Sequence, residues 1–271
     1  MTLREEYRDK GFFSSCKVVD VHGHAGPFYG IFFPLADPSS MAEELERRHI
    51  ALLMMCPHLT LFDSAVGNRA AVEIVRNHPE RMRAYWGIIP EYARPEQDLR
   101  EFERHPDVFV GFKMLAPYHM RTITDRRYAP FWEYANSMGL PVLAHTWGGS
   151  GQCGERQVEE CARRYPNVRF ILGHSLHSAW DEAVRIVRDY PNTYLDLCAV
   201  MDERGILEQF VSEGLEDRIL FGTDFPWFGY PYYIGAVLDS GIGDSVCEKI
   251  FWRNACSLLA GLPANRRVEI L

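Results

Sequence analysis

Short runs of apolar and β-branched residues recur at 17–21, 51–55, 84–89, 108–114, 140–144, 168–173, 193–197 and 218–222. Most are apolar throughout rather than alternating. Strands covered on both faces read this way, as in a parallel sheet wrapped by helices. Longer stretches of helical periodicity separate them, several with recognisable ends. Ser40 followed by Glu43 reads as a capping box before a helix at 44–48. Pro95 suits the first turn of a helix running to Glu103, and Gly139 fits just past a helix holding Phe131, Tyr134 and Met138. A weak repeat accompanies these segments. His78-Pro79-Glu80, His105-Pro106-Asp107, Tyr165-Pro166-Asn167 and Tyr190-Pro191-Asn192 each part a helical stretch from an extended one, where proline ends the helix. The strand–helix units predict an α/β fold, a (β/α)8 barrel, in one domain over residues 1–271. A doubly wound sheet would carry a Gly-rich phosphate turn after its first strand, and the sequence has none there.

Composition narrows the partners. Hydrophobic residues make up 47% of the chain, ample for a large core, and charged residues 24%, ordinary for a globular domain. A net charge of −8 speaks against nucleic acid or an anionic membrane as partner, since both need clustered cations, but leaves a small-molecule substrate open. No apolar run is long enough for a membrane span, and the charged stretch 1–10 does not read as a secretory signal. Seven cysteines, without a Cys-x-x-Cys pair, read as free thiols of a reducing, cytoplasmic setting.

The candidate chemistry lies where the strands end. His22 and His24 follow the first strand as Asp-x-His-x-His, and two residues apart on extended backbone their side chains share one side. His145 ends the fifth strand, His174 the sixth and Asp224 the eighth, with Lys113 near the end of the fourth. Barrel enzymes build their sites from the carboxyl ends of several strands. Imidazoles plus a carboxylate suit a divalent metal, zinc first with manganese or iron as substitutes. Taken singly, His145 or His174 reads equally as a hydrogen-bonded core residue, and Asp224 as a turn cap. The coincidence of the set carries the metal reading. Asp20 either orients a ligand or makes a strand-end hydrogen bond. His177 reads as a surface residue, and His49, His58, His78, His105 and His119 show no spacing that converges on the site; His78 and His105 suit helix C-termini. Aromatic residues follow the same strands, among them Phe28, Tyr29, Trp147 and Trp227. They line either an apolar substrate pocket or a subunit interface, and a homodimer or higher homo-oligomer is expected.

The order Asp-x-His-x-His, Gly-Phe-Lys, Pro-Val-Leu-Ala-His, Ile-Leu-Gly-His and Phe-Gly-Thr-Asp-Phe-Pro resembles the amidohydrolase superfamily. Within it the match is to the amidohydrolase-related group that includes aminocarboxymuconate semialdehyde decarboxylase-like proteins. The resemblance runs from about Val18 to the C-terminal helix. It implies that His22, His24 and His145 bind the metal, and that Asp224 binds it while shuttling protons. His174 would ligate a second metal or act as general acid/base. Lys113 matches the position of a lysine that is carboxylated to bridge two metals in some branches. Its plainer reading, preferred here, is an ion-paired or substrate-facing lysine beside one ion rather than two. The expected function is hydrolysis of an amide, ester or lactone by metal-activated water. The alternatives are non-oxidative decarboxylation of an aromatic or unsaturated acid, and a metal-binding barrel without turnover.

Overall fold

The computed structural model describes residues 1–266 and Val268. Each apolar run becomes a largely buried strand: β1 Val19–Ala25, β2 Leu52–Pro57, β3 Met82–Ile88, β4 Phe109–Met114, β5 Pro141–Trp147, β6 Arg169–His177, β7 Thr193–Asp196 and β8 Ile219–Leu220. They pair in sequence order, every neighbour parallel. The seam between β8 and β1 is closed by the chain just beyond β8. Val21 N–H donates to the Phe221 carbonyl at 2.9 Å, and His24 N–H to the Phe225 carbonyl at 2.7 Å. The result is a (β/α)8 barrel.

The described helices are α1 Leu3–Lys10, α2 Pro38–Arg47, α3 Ser64–Asn77, α4 Pro95–Arg104, α5 Ala129–Met138, α6 Glu155–Arg164, α7 Trp180–Asp189, α8 Ile206–Ser212, α9 Tyr230–Asp239, α10 Asp244–Glu248 and α11 Asn254–Ala260. Their ends follow local chemistry. Pro95 opens α4, and Gly139 closes α5 at φ 64°, a left-handed conformation that glycine adopts without steric penalty. α3, α4, α6 and α7 stop immediately before His78, His105, Tyr165 and Tyr190, the four pre-proline positions. No described helix is long and apolar enough to cross a membrane, and all seven cysteines are free.

Two expectations are corrected. α2 begins at Pro38, not after Ser40: the Asp37 carboxylate accepts from the Ser39 and Ser40 N–H groups at 3.1 and 3.2 Å, leaving Ser40 inside the helix. An aspartate followed by proline at the first helical position is the stronger start signal. The capping box lies instead at Thr2 and Glu5, opening α1. In addition β1, β5 and β6 run past the apolar runs, so His22, His24, His145 and His174 sit within paired strands rather than beyond them. Backbone pairing continues wherever a neighbour is in register and needs no apolar side chain.

Candidate metal centre

β1 pairs with β2 as Val19↔Leu52 and Asp20↔Leu53, then resumes as Gly23↔Met55. The extra residue on β1 is a bulge, a device that bends a strand and re-aims its side chains. It falls across Val21 and His22. Asp20 fixes this turn and the opposite wall together. Its Oδ1 accepts from His22 N–H at 2.9 Å and Thr223 N–H at 3.2 Å, and its Oδ2 from the Thr223 hydroxyl at 2.5 Å. Asp20 therefore acts on backbone, orienting the segments that carry His22 and Asp224 rather than touching either side chain. Asp224 itself is left-handed at φ 62°, held by its N–H to the His22 carbonyl at 2.8 Å.

The imidazole orientations follow from what their Nδ1 atoms face. His24 Nδ1 lies 2.9 Å from the Cys56 carbonyl, which only accepts, so Nδ1 carries the hydrogen. His22 Nδ1 donates to Asp196 Oδ2 at 2.6 Å. In the neutral rings both Nε2 lone pairs then face the barrel mouth. Asp224 Oδ1 lies between them, 3.0 Å from His24 Nε2 and 3.5 Å from His22 Nε2, and this buried oxygen has no aligned hydrogen bond. The three lone-pair donors carry no hydrogen to share with one another, and a hydrogen reaches them from Lys113 Nζ at His22 Nε2. Such a cluster repels itself unless a cation lies among the donors, and two imidazoles with a carboxylate are the set that zinc-like ions take. The residues fit a divalent metal.

Lys113 Nζ reaches the same cluster, 2.7 Å from His22 Nε2, and is fully buried. Burial lowers its pKa, against the opposing fields of Asp224 and other acidic groups. Burial, then the nearby Lys113 charge, holds His22 well below the ordinary imidazole range. For Asp224, burial acts upward, but the fields of His22, His24 and His174 prevail and hold the carboxyl well below its usual range. Burial raises both Asp20 and Asp196 to about 7.

His174 begins a run of left-handed residues, with φ 67° at His174, 49° at Ser175 and 55° at Leu176. Side chains rarely take this conformation, which costs about 1–3 kcal/mol per residue. Neighbours pin it. Asp196 Oδ2 accepts from His174 N–H at 3.2 Å, Ser175 Oγ donates to the Asp196 carbonyl at 2.7 Å, and Leu176 N–H donates to Thr146 Oγ1 at 3.0 Å. His174 stands 5.1 Å from His22, ring to ring, with Nδ1 3.1 Å from Cys198 Sγ. Burial, then the charge of His22, pushes His174 down to about 3, while burial raises the Cys198 thiol well above its usual range. A neutral His174 beside a protonated thiol takes the S–H at Nδ1 and presents Nε2–H as a donor.

Sequence reasoning named His22, His24, His145, His174, Lys113 and Asp224. The structure clusters ligand atoms of His22, His24 and Asp224 within 4.8 Å of one another, and likewise those of His22, His174 and Cys198. His145 stands one ring further, edge-on to His174 at 4.5 Å and parallel to Trp147 at 5.9 Å. Phe28 and Trp227 meet across the mouth at 5.1 Å, whereas Tyr29 is exposed on the loop after β1. Two readings are corrected. His58 does converge on the site: it stacks on His24 at 4.8 Å, its Nδ1 donates to the Gly26 carbonyl at 2.7 Å, and its Nε2 accepts from Trp227 Nε1 at 2.9 Å. The turn after β2 brings it there, which sequence spacing does not report. His177 is not a free surface residue but stacks on Trp147 at 4.2 Å. Asp196 and Cys198 were missed. Asp196 had a signal, an aspartate at the end of a strand run as with Asp224, whereas Cys198 had none.

The amidohydrolase family model matches residues 19–260. No curated protein matches the sequence. Among solved structures, 5-carboxyvanillate decarboxylase from Sphingomonas paucimobilis superposes with a TM-score of 0.72 at 11% identity, over 90% of this chain and 99% of that one. A probable 2-pyrone-4,6-dicarboxylic acid hydrolase from Acinetobacter baumannii, with citric acid bound, gives 0.67 at 11%, over 89% and 98%. A dihydroxybenzoic acid decarboxylase from a Polaromonas species, with bound manganese and an inhibitor, gives 0.66 at 18%, over 91% and 97%. At these identities the likeness is one of fold.

Proposed function

Because this chain belongs to the amidohydrolase family, we propose that it is a metal-dependent hydrolase that adds water to the carbonyl of a small amide, ester or lactone. The observation that carries this reading is the convergence of His22 Nε2, His24 Nε2 and Asp224 Oδ1, with Asp224 held ionised. A divalent cation there, zinc or a substitute such as manganese, would polarise water and substrate, lowering the pKa of bound water from about 15.7 toward 7.

The chain's own groups supply the rest. Asp224 is a carboxylate at neutral pH, so it accepts a proton from the attacking water and returns it to the leaving group. His174, neutral and donating from Nε2, suits an oxygen on which negative charge develops. Asp196 keeps the hydrogen of His22 on Nδ1. The aromatic walls, Trp147 beside His145 and Phe28 against Trp227, suit a flat, ring-containing substrate.

The test is a panel of aryl esters, amides and lactones turned over by metal-loaded protein in ¹⁸O-water. One ¹⁸O in the product carboxylate is the expected result. CO₂ release from an aromatic acid without ¹⁸O uptake would replace hydrolysis by decarboxylation.

A further inference from the structure

His58 stands beside the metal centre and takes no part in the chemistry derived above. It opens the turn His58–Leu61 that follows β2, and only 1% of its surface is exposed. The turn is wedged from behind. A Cβ on Gly67 of α3 would fall 2.5 Å from Thr60 N, and one on Gly87 of β3 2.7 Å from Thr60 Cβ, so these glycines let both elements close on it. The imidazole is fixed in plane and in tautomer. His24 stacks on it at 4.8 Å and 11°, and Phe33 at 5.6 Å and 14°. The Gly26 carbonyl, 2.7 Å from Nδ1, only accepts, so Nδ1 carries the hydrogen and Nε2 keeps a bare lone pair. That lone pair takes the indole N–H of Trp227 at 2.9 Å.

Three loops meet in this one ring: the loop after β1 through Gly26 and Phe33, its own after β2, and that after β8 through Trp227. The backbone N–H of Trp227 also donates to the Asp224 carbonyl at 2.8 Å. The indole is thus held at both ends, by the turn that carries Asp224 and by the ring stacked on His24. Phe28 and Phe33 meet it edge-on, at 5.1 Å and 64° and at 4.7 Å and 61°. Among the described residues no ring lies parallel to the indole, and parallel stacking is the contact a flat substrate can supply. Packing alone does not call for a polar pair here, because apolar groups in place of both buried partners are close to neutral for stability. The hydrogen bond adds direction. Trp227 is half-buried on a loop, and the Nε2 acceptor selects the one rotation that turns its N–H to His58.

We propose that His58 is a positioning residue for substrate: its Nε2 sets the plane of the Trp227 indole, which then receives a flat ring beside the metal centre. This rests on the ring-containing substrate read above and not on which reaction that substrate undergoes.

Two hydroxamates on the cobalt-loaded chain test it. Benzohydroxamate and acetohydroxamate carry the same metal-chelating head, so the ratio of their dissociation constants reads the ring alone. Titration followed by cobalt d–d absorption gives both, and near-UV circular dichroism checks that each variant is folded. Wild type should prefer benzohydroxamate. His58→Asn keeps an N–H for Gly26 but stops short of Trp227, and should cut that preference about fivefold with acetohydroxamate binding unchanged. Trp227→Phe, which lacks the N–H, should cut it likewise. His58→Gln places its carbonyl oxygen where Nε2 stood and should restore the preference to within about twofold of wild type. In proton NMR the Trp227 indole hydrogen, assigned by its loss in Trp227→Phe, should exchange slowly in wild type and His58→Gln and fast in His58→Asn. A preference that survives His58→Asn, or that His58→Gln fails to restore, would overturn the proposal and leave the flat-ring reading standing. Equal weakening of both hydroxamates in His58→Asn would overturn it too, reducing His58 to a support of the fold. No ring preference in wild type would overturn the flat-ring reading and the proposal with it.

Discussion

Replacing Asp196 by asparagine probes the support of the centre without touching the cation donors. In the native chain Asp196 Oδ2 accepts from His22 Nδ1–H at 2.6 Å and His174 N–H at 3.2 Å, while Oδ1 accepts from Cys198 N–H at 3.2 Å. An asparagine has one acceptor oxygen for these two sites. With that oxygen toward His22, the amide NH₂ faces Cys198 N–H, donor against donor. Reversed, the NH₂ faces His22 Nδ1 and forces the ring hydrogen onto Nε2, removing the lone pair a cation would use. An unsatisfied buried donor costs about 1–3 kcal/mol. Loss of a partner that orients a metal-binding histidine weakens metal affinity about 10–100-fold, or about 1.4–2.8 kcal/mol. Competition against a chromophoric chelator, with zinc and with manganese, measures affinity, and thermal melting of the metal-free chain measures stability. Asp196→Asn should fall by these amounts in both. Wild-type affinity in the variant would refute the role given to Asp196.

Other substitutions test neighbouring links. A Cβ on Gly222 would overlap Asp196 Oδ1 and come within 3.0 Å of His22 Cβ, so Gly222→Ala should weaken metal binding about as much as Asp196→Asn, by the same chelator competition. Asp224→Asn should lower kcat of the metal-reconstituted enzyme by about 10²-fold or more; an unchanged kcat would remove Asp224 as the base. Far from the site, buried Glu6 accepts from the Ser15 hydroxyl, Ser14 N–H at 2.8 Å and Lys10 Nζ at 3.0 Å, which together lower its pKa from 4.5 to about 2. A depressed carboxyl contributes stability above its unfolded pKa and loses it as pH falls through the folded one. Glu6→Gln should thus be less stable at pH 7 by about 3 kcal/mol, with the gap closing between pH 4.5 and 2, as read from denaturant unfolding at each pH.

The barrel was legible because each strand is buried on both faces, which leaves an uninterrupted apolar run such as Leu52–Pro57. The His-x-His pair and Asp224 were legible because polar residues at the ends of such runs have few structural reasons to be there. What escaped is long-range. Nothing local to Asp196 says that its carboxylate meets His22, 174 positions earlier. The bulge across Val21 and His22 depends on the register against β2, and the left-handed run at His174 on pinning by Thr146 and Asp196. His58 reaches His24 only through the turn after β2. Local patterns mark which residues line a barrel mouth, whereas the orientation of each ring is set by partners from other strands.

The most direct test of the centre is metal content per chain by inductively coupled plasma mass spectrometry. Wild type would be purified without added metal or chelator, then dialysed against zinc or manganese, beside His24→Ala and Lys113→Ala. One divalent ion per wild-type chain, lost in His24→Ala and kept in Lys113→Ala, is the expected result. Two ions, one of them lost with Lys113, would make the lysine a bridge and contradict the single-ion centre. No ion in wild type after either metal would contradict the centre itself.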